Sequence, residues 1–135
     1  MVSVLLLEDN PELSEKYEKS LKNSGFEVYP SNGSDLKNIL NRHVIDLIIS
    51  DTILKTRYGD QYGHELCRQL LEDERTKRVM NGTLIIGMSI IGDYKEYWRG
   101  VASNFLHKED VDDLGSVVRS IYSSFKGTRK LPKPI

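Results

Sequence analysis

Carboxylates follow two of the apolar runs in this sequence. Glu8 and Asp9 come directly after VSVLLL (2–7), and Asp51 comes directly after VIDLIIS (44–50). If these runs are neighbouring parallel strands, three carboxylates meet at one sheet edge, where like charges repel by several kcal/mol in a partly dry site. A hard divalent cation removes that repulsion, and Mg²⁺ prefers oxygen ligands of this kind. The residues therefore predict a magnesium site at this edge.

Two more polar side chains follow apolar runs later in the chain. Ser89 comes after TLIIGM (83–88), and Lys108 comes shortly after NFL (104–106). A hydroxyl group donates hydrogen bonds, and an ammonium group is a point charge suited to a phosphate oxygen. Acid pair, central aspartate, hydroxyl and lysine thus follow the first, third, fourth and fifth predicted strands of a parallel sheet.

The elements that must position these residues are predicted by hydrophobic pattern. Short apolar runs with β-branched residues indicate five strands, at 2–7, 26–29, 44–50, 83–88 and 104–106. Stretches with helical spacing lie between them, such as Leu13, Tyr17 and Leu21. This alternation predicts an α/β fold of the flavodoxin-like (βα)5 type: a doubly wound five-stranded parallel sheet in three αβα layers, with its site at the carboxyl ends of the strands.

Composition limits the classes of function. The chain has 135 residues and a formal net charge of -1, which gives no overall field to attract nucleic acid or an anionic membrane. A single cysteine, Cys67, excludes an internal disulfide and a multi-cysteine metal site. The run from Met1 to Leu7 is too short to span a membrane and lacks the basic start of a secretion signal. We expect a cytoplasmic protein that binds neither nucleic acid nor membrane.

Domain organisation follows from the same patterns. One domain is expected over residues 1–126, because the chain is long enough for a single core. The basic, proline-containing segment 127–135 (GTRKLPKPI) has no periodicity and is expected to be a flexible tail or a truncated linker.

The set Glu8-Asp9, Asp51, Ser89 and Lys108 resembles the receiver domain of two-component response regulators, including the standalone chemotaxis type. The resemblance covers about residues 2 to 125, nearly the whole chain. It implies that Asp51 is the phosphoacceptor and that Ser89 and Lys108 contact the phosphoryl group. It also implies a Mg²⁺ cofactor bound by Asp9 and Asp51.

Further roles are implied by the same resemblance. The backbone carbonyl of Ile53 would complete the direct metal ligands, and Glu8 would support the metal through a water. Phe105 matches the aromatic switch position, which would respond together with Ser89. Such a domain is not a classical enzyme, because it catalyses only its own phosphorylation and slow dephosphorylation.

Partners are implied in the same way. A sensor histidine kinase or a phosphotransfer protein would supply the phosphoryl group, in direct signalling or in a phosphorelay. A downstream protein would bind the face formed by the fourth helix, fifth strand and fifth helix. The oligomeric state is expected to be a monomer or a weak dimer.

The sequence also departs from the receiver pattern. The segment between Asp51 and Gly63 indicates an enlarged loop, Ile90 follows Ser89 in place of a small residue, and Glu109 follows Lys108 in place of proline. Because bulky apolar groups at Ile53 and Ile90 would obstruct an attacking water, we expect the phosphorylated form to hydrolyse slowly.

Several other segments have structural interpretations. A short fourth helix carries Tyr94, Tyr97, Trp98 and Val101 at helical spacing, either to cover the sheet or to bind a partner. The charged run 72–77 is expected to be a solvated helix end or loop. His43, His64 and His107 show no metal-ligand spacing and are expected at the surface, whereas Cys67 is expected in the core.

Two alternative functions remain open at this point. A pseudo-receiver would keep the fold as a constitutive protein-binding module without phosphorylation. A Mg²⁺-dependent phosphohydrolase of the haloacid dehalogenase type would also use a strand-end aspartate, but it needs a second aspartate where this chain has Ile53. Nucleotide binding is not supported, because no glycine-rich phosphate loop follows the first predicted strand.

Overall fold

The computed structural model describes residues 1–56, 59–90, 92–110 and 112–128. The strands in chain order are β1 (Ser3–Leu7), β2 (Glu27–Ser31), β3 (Leu47–Asp51), β4 (Ile53–Thr56), β5 (Gly59–Tyr62), β6 (Leu84–Ser89) and β7 (Asn104–His107). Five of them form one sheet in the order β2-β1-β3-β6-β7, and every pairing in it is parallel. The predicted five-stranded parallel sheet is therefore confirmed.

Helices cover both faces of this sheet. They are α1 (Pro11–Asn23), α2 (Leu36–Arg42), α3 (Gly63–Glu72), α4 (Glu74–Val79) and α5 (Leu114–Thr128), with short 3₁₀ helices at Gly92–Trp98 and Lys108–Asp110. Apolar residues of α1 and α5 pack in the core on one face, and those of α2 and α3 pack in the core on the other. This is the expected three-layer αβα architecture.

The central strands explain why the sheet is buried on both sides. All five residues of β1 are buried, with Val4 and Leu6 in one core and Leu5 and Leu7 in the other. Successive side chains of a strand point to opposite faces, so a continuous apolar run can fill two cores at once. The carboxylates that follow such runs are thereby carried to the edge of a rigid sheet.

Helix α5 is held close to α1 by a glycine. A Cβ atom on Gly115 would lie 2.2 Å from the backbone oxygen of Ser20, so only glycine permits this approach. The Gly115 N–H donates to Ser20 Oγ at 2.9 Å, and that hydroxyl donates to Asp113 Oδ1 at 2.7 Å. These contacts fix the start of α5, a few residues after Lys108.

The segment after Asp51 differs from the expected loop. Strands β4 and β5 form an antiparallel hairpin, in which Ile53 pairs with Tyr62 and Thr56 pairs with Gly59. Its two ends lie together, because the Gly63 N–H donates to the Thr52 carbonyl at 2.8 Å. In its described residues the enlarged loop thus consists of two paired strands that follow β3, and we call them the hairpin β4–β5.

Two helical predictions are also corrected. The aromatic segment is a 3₁₀ helix, Gly92–Trp98, and not a shortened α-helix. The charged run 72–77 contains a separate helix, α4, because the Asp73 carboxylate caps it by accepting from the N–H groups of Arg75 and Thr76.

Some expectations concern the ends and the surface of the chain. Helix α5 reaches Thr128, and residues 129–135 of the expected flexible tail lie outside the described residues. Within the described ranges, no helix combines the length and apolar character needed to cross a membrane. Cys67 is fully buried, as expected for a core residue.

Candidate functional site

The three predicted carboxylates meet at the carboxyl ends of β1 and β3. Glu8, Asp9 and Asp51 each place a carboxylate oxygen within 4.8 Å of the others. They line a cleft of about 310 Å³, which we call the acid cleft, together with Ser89 and Lys108. All five predicted polar side chains are thus brought to one place.

Lys108 bridges two of these carboxylates. Its Nζ lies 2.8 Å from Glu8 Oε1 and 3.1 Å from Asp51 Oδ2, and only 7% of its side chain is exposed. Burial lowers the pKa of Lys108, but the hydrogen bond to Glu8 and the charge of Asp51 outweigh it, so the pKa lies above its ordinary value. The Tyr17 ring lies 5.9 Å from the same ammonium group. Lys108 is therefore a fixed cation beside Asp51.

Glu8 is the most deeply buried member of the acid cleft. Burial, together with the nearby charge of Asp51, raises its pKa to about 7, although Lys108 opposes the shift. Its second oxygen, Oε2, is buried and has no hydrogen-bond partner among the described residues. Because buried polar atoms in proteins almost always find a partner, this oxygen is suited to a water or cation in the cleft.

Backbone groups orient the other two carboxylates. The Lys55 N–H, from the hairpin β4–β5, donates to Asp9 Oδ2 at 3.0 Å. The Thr52 N–H donates to Asp51 Oδ1 at 2.9 Å. These hydrogen bonds hold each carboxylate in place.

Ser89 and Ile90 form the wall of the cleft opposite the acid pair. Ser89 ends β6, is 5% exposed, and pairs in register with His107, the residue before Lys108. Ile90 lines the cleft and is 55% exposed, so it stands at the mouth. Ile53 lines the same cleft from the hairpin side.

Phe105 lies away from the carboxylates, on β7. It is half-buried and packs against the core that contains Trp98. Its register partner on β6 is Gly87, and a Cβ atom on Gly87 would lie 2.5 Å from the Trp98 ring. The indole therefore fills the space over Gly87, beside the predicted switch residue.

An aromatic cluster of Tyr97, Trp98 and His64 adjoins the acid cleft. The sequence predicted Tyr97 and Trp98 as part of an aromatic stripe but not their contacts with His64 and Thr52. The Trp98 indole Nε1 donates to Thr52 Oγ1 at 2.9 Å, and that hydroxyl donates to the Met88 carbonyl at 2.8 Å. His64 stacks on Tyr97 at 5.1 Å between ring centroids and meets Trp98 edge-on at 5.9 Å.

The surface position predicted for His64 is therefore wrong. The residue is only 8% exposed, because it packs under Tyr97. Burial lowers the pKa of its imidazole, partly opposed by the charge of Glu65. His43 is exposed, as expected, and stacks on Tyr29 at 4.1 Å. His107 is half-buried, with a buried Nδ1 that has no hydrogen-bond partner among the described residues.

The acid cleft fits a magnesium ion. Three carboxylates supply hard oxygen ligands within reach of one another, and the buried Glu8 Oε2 lacks a partner in the described part of the chain. Mg²⁺ keeps several waters and takes one or two carboxylates, so a half-open cleft of this kind satisfies it.

No protein-family model matches the chain, and no curated protein sequence matches it. Several solved structures are similar to it. The chemotaxis response regulator CheY4 of Vibrio cholerae is 19% identical, with a TM-score of 0.72 over 91% of this chain and 98% of that one. The receiver domain of a Pseudomonas aeruginosa sensor histidine kinase, solved with a magnesium ion coordinated in its active-site cleft, is 21% identical, with a TM-score of 0.72 over 94% of this chain and 98% of that one.

A third similar structure was solved in complex with Mg²⁺ and BeF. This protein, the Thermotoga maritima response regulator TrrA, is 17% identical, with a TM-score of 0.71 over 91% of this chain and 98% of that one. These matches span nearly all of both chains. The chain therefore has the fold of the response-regulator receiver domains.

Proposed function

We propose that this protein is a signalling receiver switched by phosphorylation of Asp51. The observation that carries the proposal is the position of Lys108 Nζ, 3.1 Å from Asp51 Oδ2 and 2.8 Å from Glu8 Oε1. Asp9 belongs to the same group, in which the carboxylate oxygens of Glu8, Asp9 and Asp51 lie within 4.8 Å of one another. A cation, a nucleophilic carboxylate and a metal-binding acid pair are the parts that phosphoryl transfer requires.

The transfer step follows from this arrangement. An Asp51 oxygen attacks the phosphorus of a phosphohistidine on a histidine kinase or phosphotransfer protein, and the new O–P bond gives an aspartyl phosphate. The P–N bond breaks, its electron pair stays on the imidazole, and the imidazole takes a proton from water. No general base is needed, because a carboxylate nucleophile carries no proton that must be removed.

Charge neutralisation is the main contribution of the protein. Lys108 is fixed beside the attacking carboxylate and offsets the negative charge of the phosphoryl oxygens in the transition state. Ser89, at the end of β6, donates its hydroxyl to a phosphoryl oxygen. Asp9, Asp51 and the Ile53 carbonyl would hold Mg²⁺, with Glu8 acting through a water. The ion, when bound, neutralises phosphoryl oxygens and orients them.

The output is a change of protein contacts. Ser89 moves toward the new phosphoryl group, and Phe105 responds beside it. The downstream protein binds the face formed by the 3₁₀ helix Gly92–Trp98, β7 and α5. Ile90 and Ile53 at the mouth of the cleft hinder an attacking water, so the phosphorylated form is long-lived.

Intact-mass measurement tests the proposal. We expect the protein to gain one phosphoryl group when incubated with phosphoramidate or acetyl phosphate and Mg²⁺, and to gain none with EDTA. Asp51→Asn is expected to stay unmodified, whereas Asp60→Asn, an exposed aspartate on β5, is expected to react. A wild-type protein that is folded, binds Mg²⁺ and gains no mass would contradict phosphorylation.

That negative result would favour the pseudo-receiver. The observation on its side is the hairpin β4–β5, which holds Asp9 through the Lys55 N–H and brings Ile53 to the cleft. A constitutive binding module would contact the same partner with equal affinity before and after treatment with the phosphodonor.

A further inference from the structure

We propose that Lys55 is a second phosphate-binding cation of the acid cleft, which attracts the phosphodonor and holds the phosphoryl group after transfer. The inference rests on the proposed phosphorylation of Asp51. It adds a residue from the hairpin β4–β5, which lies outside the five-stranded sheet.

Strand alternation directs Lys55 toward the cleft. Leu54 is fully buried in the core, and its neighbours in β4, Ile53 and Lys55, point to the opposite side. Both neighbours line the acid cleft together with Asp51. The lysine is exposed, so its flexible side chain reaches the cleft from the solvent side.

The backbone fixes the base of this side chain. The Lys55 N–H donates to Asp9 Oδ2 at 3.0 Å, so the Cα atom lies at the rim of the acid cleft. The base of the hairpin is closed by a hydrogen bond in which the Gly63 N–H donates to the Thr52 carbonyl oxygen at an N···O distance of 2.8 Å. The position of Lys55 therefore depends on main-chain contacts that a side-chain substitution leaves in place.

The charges in the acid cleft indicate why a second cation such as Lys55 is needed after phosphoryl transfer. The cleft holds three carboxylates, and Lys108 is already paired with Glu8 and Asp51. A phosphoryl group adds a negative charge of about 1.5 to 2. Lys55 makes no salt bridge within the described residues, and its cross-strand neighbour is Asp60. It is thus available to the dianionic group, with Asp60 as its competitor.

The experiment compares rates of phosphorylation by acetyl phosphate at saturating Mg²⁺. Lys55→Ala should lower the second-order rate constant about five- to tenfold at low salt, as expected for loss of one charge near the reacting group. Lys55→Arg should retain most of the rate, and Asp60→Asn should raise it. Lys95→Ala is the matched control, because Lys95 is also exposed but lines a different cavity.

Two further readouts separate charge from structure. The salt dependence of the rate should be weaker in Lys55→Ala than in the wild type, and the decay of the phosphorylated form should be faster. Mg²⁺ affinity should change little, because the backbone bond to Asp9 remains. Circular dichroism checks that the variants are folded.

The outcomes distinguish this inference from the function on which it rests. If the wild type and Lys55→Ala are phosphorylated at the same rate, with the same salt dependence and lifetime, Lys55 has no role and the receiver function stands. If the wild type gains no phosphoryl group at all, the receiver function itself fails, and the role of Lys55 fails with it.

Discussion

Trp98 is joined to Thr52 by a buried hydrogen bond, 2.9 Å long, between the indole Nε1 and the threonine hydroxyl. Thr52 also donates its backbone N–H to Asp51 Oδ1 at 2.9 Å. One residue therefore contacts the proposed phosphoacceptor with its main chain and an aromatic core residue with its side chain. This is a direct path from the acid cleft to the 3₁₀ helix Gly92–Trp98.

Trp98 fluorescence should report the state of Asp51. Trp98 is the only tryptophan in the sequence, and it is 2% exposed, so its emission reflects this one environment. We expect Mg²⁺ or acetyl phosphate to change its emission intensity or wavelength. Thr52→Val removes the hydroxyl that accepts from the indole and should reduce the change, whereas Thr52→Ser should preserve it. An equal response in Thr52→Val would show that this hydrogen bond is not the path.

Substitutions of Lys108 and Glu8 should have strongly coupled effects on the free energy of unfolding, because the two side chains form a buried ion pair. Removing Lys108 alone, as Lys108→Met, leaves a buried carboxylate without its partner and should cost about 3–5 kcal/mol in the free energy of unfolding without Mg²⁺. The double variant Glu8→Gln, Lys108→Met should recover much of that loss. Urea unfolding of the wild type, Glu8→Gln, Lys108→Met and the double variant measures the coupling. Additive effects of the two substitutions would contradict it.

Gly63 should be required for the shape of the acid cleft. A Cβ atom at this position would lie 2.0 Å from the Asp51 carbonyl oxygen and 2.3 Å from Ser50 Oγ. Since the clash is with main chain next to the phosphoacceptor, Gly63→Ala should destabilise the fold by about 1–3 kcal/mol and slow phosphorylation. Gln61→Ala, at an exposed site of the same hairpin, is the control. Wild-type stability and rate in Gly63→Ala would disprove the close contact.

His64 should make stability depend on pH. Its pKa is lowered from the ordinary value of 6.5, chiefly by burial, while Glu65 raises it and Arg68 lowers it. Below pH 6.5 the unfolded chain binds more protons at this residue than the folded protein does. The stability that His64 contributes is therefore complete above pH 6.5 and declines as pH falls toward the folded-state pKa.

The variant His64→Phe isolates this contribution, because it keeps an aromatic ring between Tyr97 and Trp98 but cannot be protonated. Urea unfolding from pH 8 to about pH 5 should show a weaker loss of stability in this variant than in the wild type. Parallel pH profiles for the two proteins would rule out His64 as the source.

The sequence predicted those features that local patterns determine. Continuous apolar runs such as 2–7 and 44–50 indicate strands buried on both faces, and parallel strands bring the residues that follow them to one edge. The pattern of residues alone was therefore enough to place Asp9, Asp51 and Lys108 together. Resemblance to the receiver domains added their proposed roles, which await experiment.

The features that were missed depend on contacts between distant or weakly patterned segments. ILKT and GDQY lack the alternation of apolar and polar residues that identifies a strand, so the hairpin β4–β5 was interpreted as a loop. His64 is buried because Trp98 and Tyr97 pack against it from a different part of the chain. Spacing along the sequence carries no signal for such a contact.

The closed base of the hairpin β4–β5 has a consequence for insertions into this part of the chain. Ile53 pairs with Tyr62, and the Gly63 N–H donates to the Thr52 carbonyl, so the inserted segment leaves the end of β3 and comes back beside it at the start of α3. Lengthening a loop costs little free energy when its ends stay together. We therefore expect the hairpin to tolerate changes in its length while the five-stranded sheet beneath it keeps its structure.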